Sequence, residues 1–197
     1  MIRVGIIGGI GSGKSFISKL FGYPVFNADY EVKLIYKKNK KCFTKLRKKL
    51  PNFVKTFPIR KRELISAVSS NKKNIKIISS IVHPLVRKKM ESFIKRKKKS
   101  KMIILDIPLL IENKLNKKND VIIFINSKKS KVIDRLKKRP NFNEKLIKSL
   151  KENQLIISKK KKLADYVINN NFSAHIMKKK VKLIKEEILN ERNSSRY

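Results

Sequence analysis

At 197 residues the chain suffices for one compact domain with a substantial core, or for a core carrying inserted subdomains. Its one cysteine, Cys42, excludes an internal disulfide and fits a reducing cytoplasm as a buried or idle thiol, while the longest apolar stretch, residues 102–111, is broken by Asp106 and too short to span a bilayer. The net charge of +38, from 52 Lys and Arg against 14 Asp and Glu, comes mainly from lysine runs spread along the whole chain without interleaved aromatic residues, which favours drift in an A/T-rich genome over a nucleic-acid surface, although the field still attracts polyphosphates at low salt.

Residues 2–7 are a short apolar run that reads as a buried strand, so no secretory leader is expected and the protein is expected to be cytoplasmic. The run Gly8-Gly9-Ile10-Gly11-Ser12-Gly13-Lys14-Ser15 follows and fits G-x-x-x-x-G-K-[ST]. Residues 16–21 then carry apolar side chains at helical spacing, with Gly22 as a stop. Strand, glycine loop and helix in this order are the context a phosphate-binding loop needs, and they weigh against a glycine-rich turn without a ligand. Glycines let the backbone turn tightly and bring the N–H groups of Gly9, Ile10, Gly11, Ser12, Gly13, Lys14 and Ser15 close to a phosphate chain, and the helix adds the positive end of its dipole. Lys14 is a mobile cation for the outer phosphates, and the Ser15 hydroxyl is a ligand for Mg²⁺.

Val25-Phe26 reads as a second strand. Asp29 follows it at the carboxyl edge, where parallel sheets place their ligands, and is a candidate base or else the N-cap of a helix starting near Tyr30. Residues 30–99 read as a helical insertion of five segments (31–38, 42–50, 61–68, 75–82 and 86–97) punctuated by Pro51, Pro58 and Pro84, and suit an acceptor-binding subdomain. Within it His83 and Arg87 lie one helical turn apart; Arg87 suits a phosphate, and His83 reads equally as a packed turn residue. Strands are expected at 102–107, 121–125 and 166–169. Asp106 near the end of the third is a candidate for Mg²⁺ through water or for the acceptor, or else a turn residue. The basic stretch 139–162 reads as a lid opened by Arg139, a candidate to stabilise transferring charge, whereas Arg135 before it reads as a surface or ion-pair residue. Asn170, after the last strand, reads either as an adenine contact or as a turn residue within Asn169-Asn170-Asn171.

The expected fold class is therefore α/β: a P-loop-type parallel sheet flanked by helices, with a core of residues 1–29, 100–138 and 163–197, the insertion at 30–99 and the lid at 139–162. Guanine-reading GTPases are disfavoured, because the run Asn116-Lys117-Lys118-Asn119 precedes a strand and lacks the Asp of Asn-Lys-x-Asp. Two other classes stay open at this point: a different small-metabolite kinase, and a basic nucleic-acid-stimulated ATPase.

Six segments in the right order make the chain resemble the dephospho-coenzyme A kinases over nearly its whole length. They are the Gly-Gly-Ile-Gly start of the loop; Asn27-Ala28-Asp29; His83-Pro84-Leu85-Val86-Arg87; Asp106-Ile107-Pro108-Leu109-Leu110-Ile111-Glu112; Asp134-Arg135-Leu136-Lys137-Lys138-Arg139; and Gln154 followed by Ala164-Asp165-Tyr166-Val167-Ile168-Asn169-Asn170. The resemblance implies transfer of the γ-phosphoryl of ATP, with Mg²⁺, to the ribose 3′-hydroxyl of dephospho-coenzyme A. It implies Asp29, Lys14 and Arg139 in catalysis, the loop and Asn170 on ATP, and His83, Arg87 and Asp106 toward the acceptor. ATP and dephospho-coenzyme A are the expected partners of a monomer or small homo-oligomer, without a specific nucleic acid or a membrane. Three departures stand out. Asn27 replaces the first Asp of Asp-Ala-Asp, Ile59-Arg60-Lys61 stands where Ile-Asp-Arg is usual, and Ile156, Ser158 and lysines replace the usual Pro and Glu between Gln154 and Ala164.

Overall fold

The apolar runs become five short strands: β1 (Ile2–Gly8), β2 (Val25–Asn27), β3 (Met102–Asp106), β4 (Val121–Asn126) and β5 (Tyr166–Asn169). They form one parallel sheet in the order β2-β3-β1-β4-β5, with β1 central, Val4 facing Ile104 on one side and Val121 on the other, and Ile125 beside Ile168. The structure, a computed structural model, describes residues 1–138, 142, 147 and 154–194.

β1, β3 and β4 are apolar at nearly every position because both faces of the sheet are covered, as parallel sheets require. On one face Val4, Ile6, Met102, Ile104, Val121, Ile123 and Ile125 alternate along their strands and meet Ile17 of α1 (Lys14–Leu20), Phe21 at its C-cap, and Met177, Val181 and Ile188 of the C-terminal helix (Ala174–Ser194). On the other face Gly5 leaves room for Leu110: a Cβ at Gly5 would stand 2.4 Å from a Leu110 methyl. The sheet, residues 97–138 around it and residues 154–194 make one compact unit.

Residues 27–96 make a second compact unit. It contains α2 (Ala28–Lys38), α3 (Lys40–Lys49), α4 (Lys61–Ser70) and α5 (Lys73–Arg96), with α2, α3 and α4 each packed on α5. Asn39 closes α2 and opens α3, its side chain accepting from the Cys42 N–H at 2.8 Å, so α3 starts at Lys40 rather than at Cys42. Cys42 is buried, and burial pushes its thiol up to about 11 against the opposing pull of Lys45. The thiol is therefore protonated and unreactive at neutral pH.

The two helical segments expected on either side of Pro84 are one helix of 24 residues. Pro84 removes one backbone hydrogen bond and is exposed. Ile78, Val82, Val86 and Met90 recur every fourth residue across it and are buried, so tertiary packing on both sides outweighs the local break.

Where the resemblance departs at Arg60, that residue occupies the N-cap of α4 without a capping side-chain bond. Glu63 supplies the cap instead. Its carboxylate accepts the N–H groups of Arg60, Lys55 and Thr56, each at 3.0 Å, and the Thr56 hydroxyl. Burial pushes the Glu63 carboxyl up, but these four donors outweigh it and leave the group below its ordinary value. A lowered folded value means that the native state favours the ionised form, so the stabilisation is present above about pH 4.5 and is lost as the pH falls through the folded value. Glu63→Ala is expected to cost about 0.5–2 kcal/mol at pH 7, the range for a lost cap. Urea unfolding of the two proteins at pH 7 and pH 3 checks this, with the gap narrowing at the lower pH.

Candidate active site

The phosphate-type loop leaves the carboxyl end of β1 and enters α1. Gly8 (φ 150°) admits no side chain, since a Cβ there would lie 2.7 Å from the Ile125 carbonyl oxygen. Gly13 (φ 91°) is equally constrained, its Cβ falling 2.4 Å from the Asn170 side-chain nitrogen. Lys14 Nζ donates to the carbonyls of Gly8 at 3.2 Å and Gly9 at 2.9 Å, so its ammonium lies across the loop. Ser15 is exposed in the first turn of α1, and Ser18 Oγ donates back to the Lys14 carbonyl at 2.9 Å.

Neighbouring strand ends contribute to the same edge. Asp106 closes β3 in register with Ile6 and is buried. Ser127, immediately after β4, donates its hydroxyl to the Ser12 carbonyl at 3.0 Å. Asn170, immediately after β5, donates its amide to the same carbonyl at 2.8 Å and accepts the Phe172 N–H at 2.8 Å. Both ends of the Asn170 amide therefore have protein partners. Arg135, on α6 (Lys129–Lys137), is exposed, as expected of a surface residue, and its guanidinium lies 4.5 Å from the centre of the Phe172 ring, a cation–π stack the sequence did not suggest. Sequence reasoning missed Ser127 and Phe172, which carry no motif.

The lysine run 159–162 does not face solvent uniformly. In α7 (Ile157–Lys162) Lys160 is 1% exposed, and its ammonium lies 2.6 Å from Glu112 Oε1, an ion-pair contact. Glu112 also accepts the Leu155 N–H at 3.0 Å. The last acidic residue of Asp106–Glu112 thus ties down the segment that begins at Gln154, and Ile157 comes within 3.9 Å of the Cβ position on Gly9.

In the second unit Asn27 is the N-cap of α2, its Oδ1 accepting from the Tyr30 N–H at 2.7 Å. The helix therefore starts at Ala28, and Asp29 is not its cap: it stands exposed in the first turn, two residues beyond β2. His83 and Arg87 sit on α5, His83 half-buried and Arg87 exposed. Burial, and then the Arg87 charge, hold the His83 imidazole below its ordinary value, so it is neutral at pH 7. An NMR titration is expected to place its midpoint below 6.5 and to move it upward in Arg87→Gln. Arg139 lies outside the described residues.

For Mg²⁺ the donor chemistry fits: Ser15 and Asp106 present only hard oxygen ligands, and such an ion is ordinarily held by one or two protein oxygens together with substrate phosphates and water. No helix among the described residues is long and apolar enough to cross a membrane.

The dephospho-CoA kinase family matches residues 2–175. The dephospho-CoA kinase of Wolbachia pipientis wMel is 32% identical over 190 residues, covering 94% of this chain and 97% of its own. Among solved structures, TT1252 from Thermus thermophilus superposes with a TM-score of 0.75 at 26% identity, covering 94% of this chain and 97% of its own. The dephospho-CoA kinase from Campylobacter jejuni shares the fold, with a TM-score of 0.65 at 24% identity and coverage of 96% and 98%. With a glycine loop on β1, strand-end polar groups around it and a family match over most of its length, the chain belongs to the dephospho-CoA kinases.

Proposed function

We propose that the protein transfers the γ-phosphoryl group of ATP to the ribose 3′-hydroxyl of dephospho-coenzyme A, giving coenzyme A and ADP. The observation that carries this reading is the intact Gly8–Ser15 loop on β1 within a chain of this family. Phosphoryl transfer needs alignment and charge neutralisation more than covalent help from the protein. The backbone N–H groups from Gly9 to Ser15 would cradle the phosphates, and Lys14 would leave its carbonyl partners for the outer phosphates. Ser15, with Asp106 directly or through water, would hold Mg²⁺, which when bound neutralises charge on the phosphates. Asp29, exposed and relieved of capping by Asn27, would accept the proton of the 3′-hydroxyl. Residues 30–99 would bind the acceptor, with Arg87 as a charge partner for its phosphates and His83, neutral, as a hydrogen-bonding group. Residues 139–162 would form a lid, opened by Arg139 as a cation toward the transferring group. Asn170 belongs to the ATP-binding set together with the loop it touches.

The test is product identity. Incubation with Mg-ATP and dephospho-coenzyme A, followed by ³¹P NMR, should show one new phosphomonoester on the 3′ position and equimolar ADP. A phosphate appearing elsewhere on the acceptor, or only inorganic phosphate, would refute the reading.

A further inference from the structure

The Ser12 carbonyl receives two side-chain donors, Ser127 Oγ at 3.0 Å and Asn170 Nδ2 at 2.8 Å, from the ends of two different strands. Those strand ends are themselves cross-linked: Asn126 donates its side-chain amide to Asn169 at 2.8 Å, and the Asn170 N–H meets the Asn126 carbonyl at 2.7 Å. The Asn170 amide cannot turn over without loss, because its oxygen accepts the Phe172 N–H while its nitrogen faces Ser12. The Ser12–Gly13 peptide is trans, so its C=O and N–H point in opposite directions. A carbonyl pulled toward Ser127 and Asn170 therefore turns the Gly13 N–H away from them.

We propose that Ser127 and Asn170 are paired positioning residues that pin the Ser12 carbonyl and thereby aim the Gly13 N–H at the bound polyphosphate. Neither residue need touch the nucleotide. The Asn170 amide then serves the phosphate loop rather than adenine, so its loss weakens polyphosphate binding whatever base is attached. The absent side chain of Gly13 belongs to the same device, since the Asn170 nitrogen occupies the space a Cβ would need. The proposal rests on the loop being a nucleotide site, and the binding measurements that decide it do not depend on phosphoryl transfer.

The measurement is the dissociation constant of Mg-ADP, Mg-GDP and inorganic tripolyphosphate by calorimetry, for the wild type, Ser127→Ala, Ser127→Thr, Asn170→Ala and the double variant. Loss of one such hydrogen bond is expected to weaken all three ligands by roughly tenfold. The ADP-to-GDP ratio should stay unchanged, Ser127→Thr should bind as the wild type, and the double variant should depart from additivity because both groups hold one oxygen. In turnover assays KM for ATP should rise while KM for the acceptor stays. Unaltered tripolyphosphate binding in folded variants would overturn the proposal, as would an Asn170→Ala loss confined to ADP, which would return that amide to adenine. Should Asn170→Ala not fold, Ser127→Ala and its threonine rescue decide the matter alone. A wild type that binds ADP without using the acceptor would sink the kinase reading and leave this proposal standing.

Discussion

Asp29→Asn is expected to lower the rate of phosphoryl transfer by about 10²–10⁴-fold, the usual worth of a positioned general base, while leaving ATP affinity and the fold in place. The fold should survive because Asp29 is exposed and the capping bond of α2 belongs to Asn27, whose Oδ1 takes the Tyr30 N–H. What the substitution removes from the helix is one negative charge near its N-terminus, worth about 0.3–1 kcal/mol at an exposed site. Single-turnover phosphoryl transfer and a thermal melt on the same preparation separate the two effects. A rate within a few-fold of the wild type would mean that Asp29 serves only the helix. The complementary variant, Asn27→Ala, should show the opposite pattern, a loss of about 1 kcal/mol in stability, since it removes the cap.

The second large effect is on stability. Lys160→Ala should destabilise the protein by about 3–5 kcal/mol, because removing one partner of a buried ion pair leaves the other charge uncompensated. For a chain of this length that corresponds to a melting temperature lower by roughly 6–20 °C. Lys159, Lys161 and Lys162 are exposed, so alanine at any of them should stay within about 0.5 kcal/mol of the wild type. The double change Lys160→Met with Glu112→Leu should recover much of the loss, because a buried pair replaced by apolar groups of similar volume is often neutral. Differential scanning calorimetry on the wild type, Lys160→Ala, Lys161→Ala and the double variant tests the pair. Equal melting temperatures for Lys160→Ala and Lys161→Ala would contradict a buried, coupled pair.

The parts legible in the sequence are those that local pattern determines. Strand-length apolar runs mark the sheet, and glycines at positions that tolerate no Cβ mark the loop. The helical segments of residues 30–99 are legible as helices, yet α5 shows the limit. A proline reads locally as a break, and only the buried row Ile78, Val82, Val86 and Met90, which has meaning once α2 and α3 pack against it, carries the helix through. Lys160 is illegible for a related reason: inside Lys159–Lys162 nothing local separates the residue that turns inward onto Glu112 from its solvated neighbours. Ser127 is an ordinary serine after a strand until the fold brings it to Ser12, 115 residues away in sequence. Asn27 and Arg60 read in the sequence only as departures from the family pattern. The structure shows one acting as a cap and the other relieved of capping by Glu63.

The most direct test of the central claim is ADP release from Mg-ATP with and without dephospho-coenzyme A, for the wild type and Asp29→Asn. The expected result is ADP formation that depends on the acceptor, matches it in stoichiometry and is largely lost in the folded variant. ADP release that ignores the acceptor in a folded, ATP-binding protein would contradict the claim.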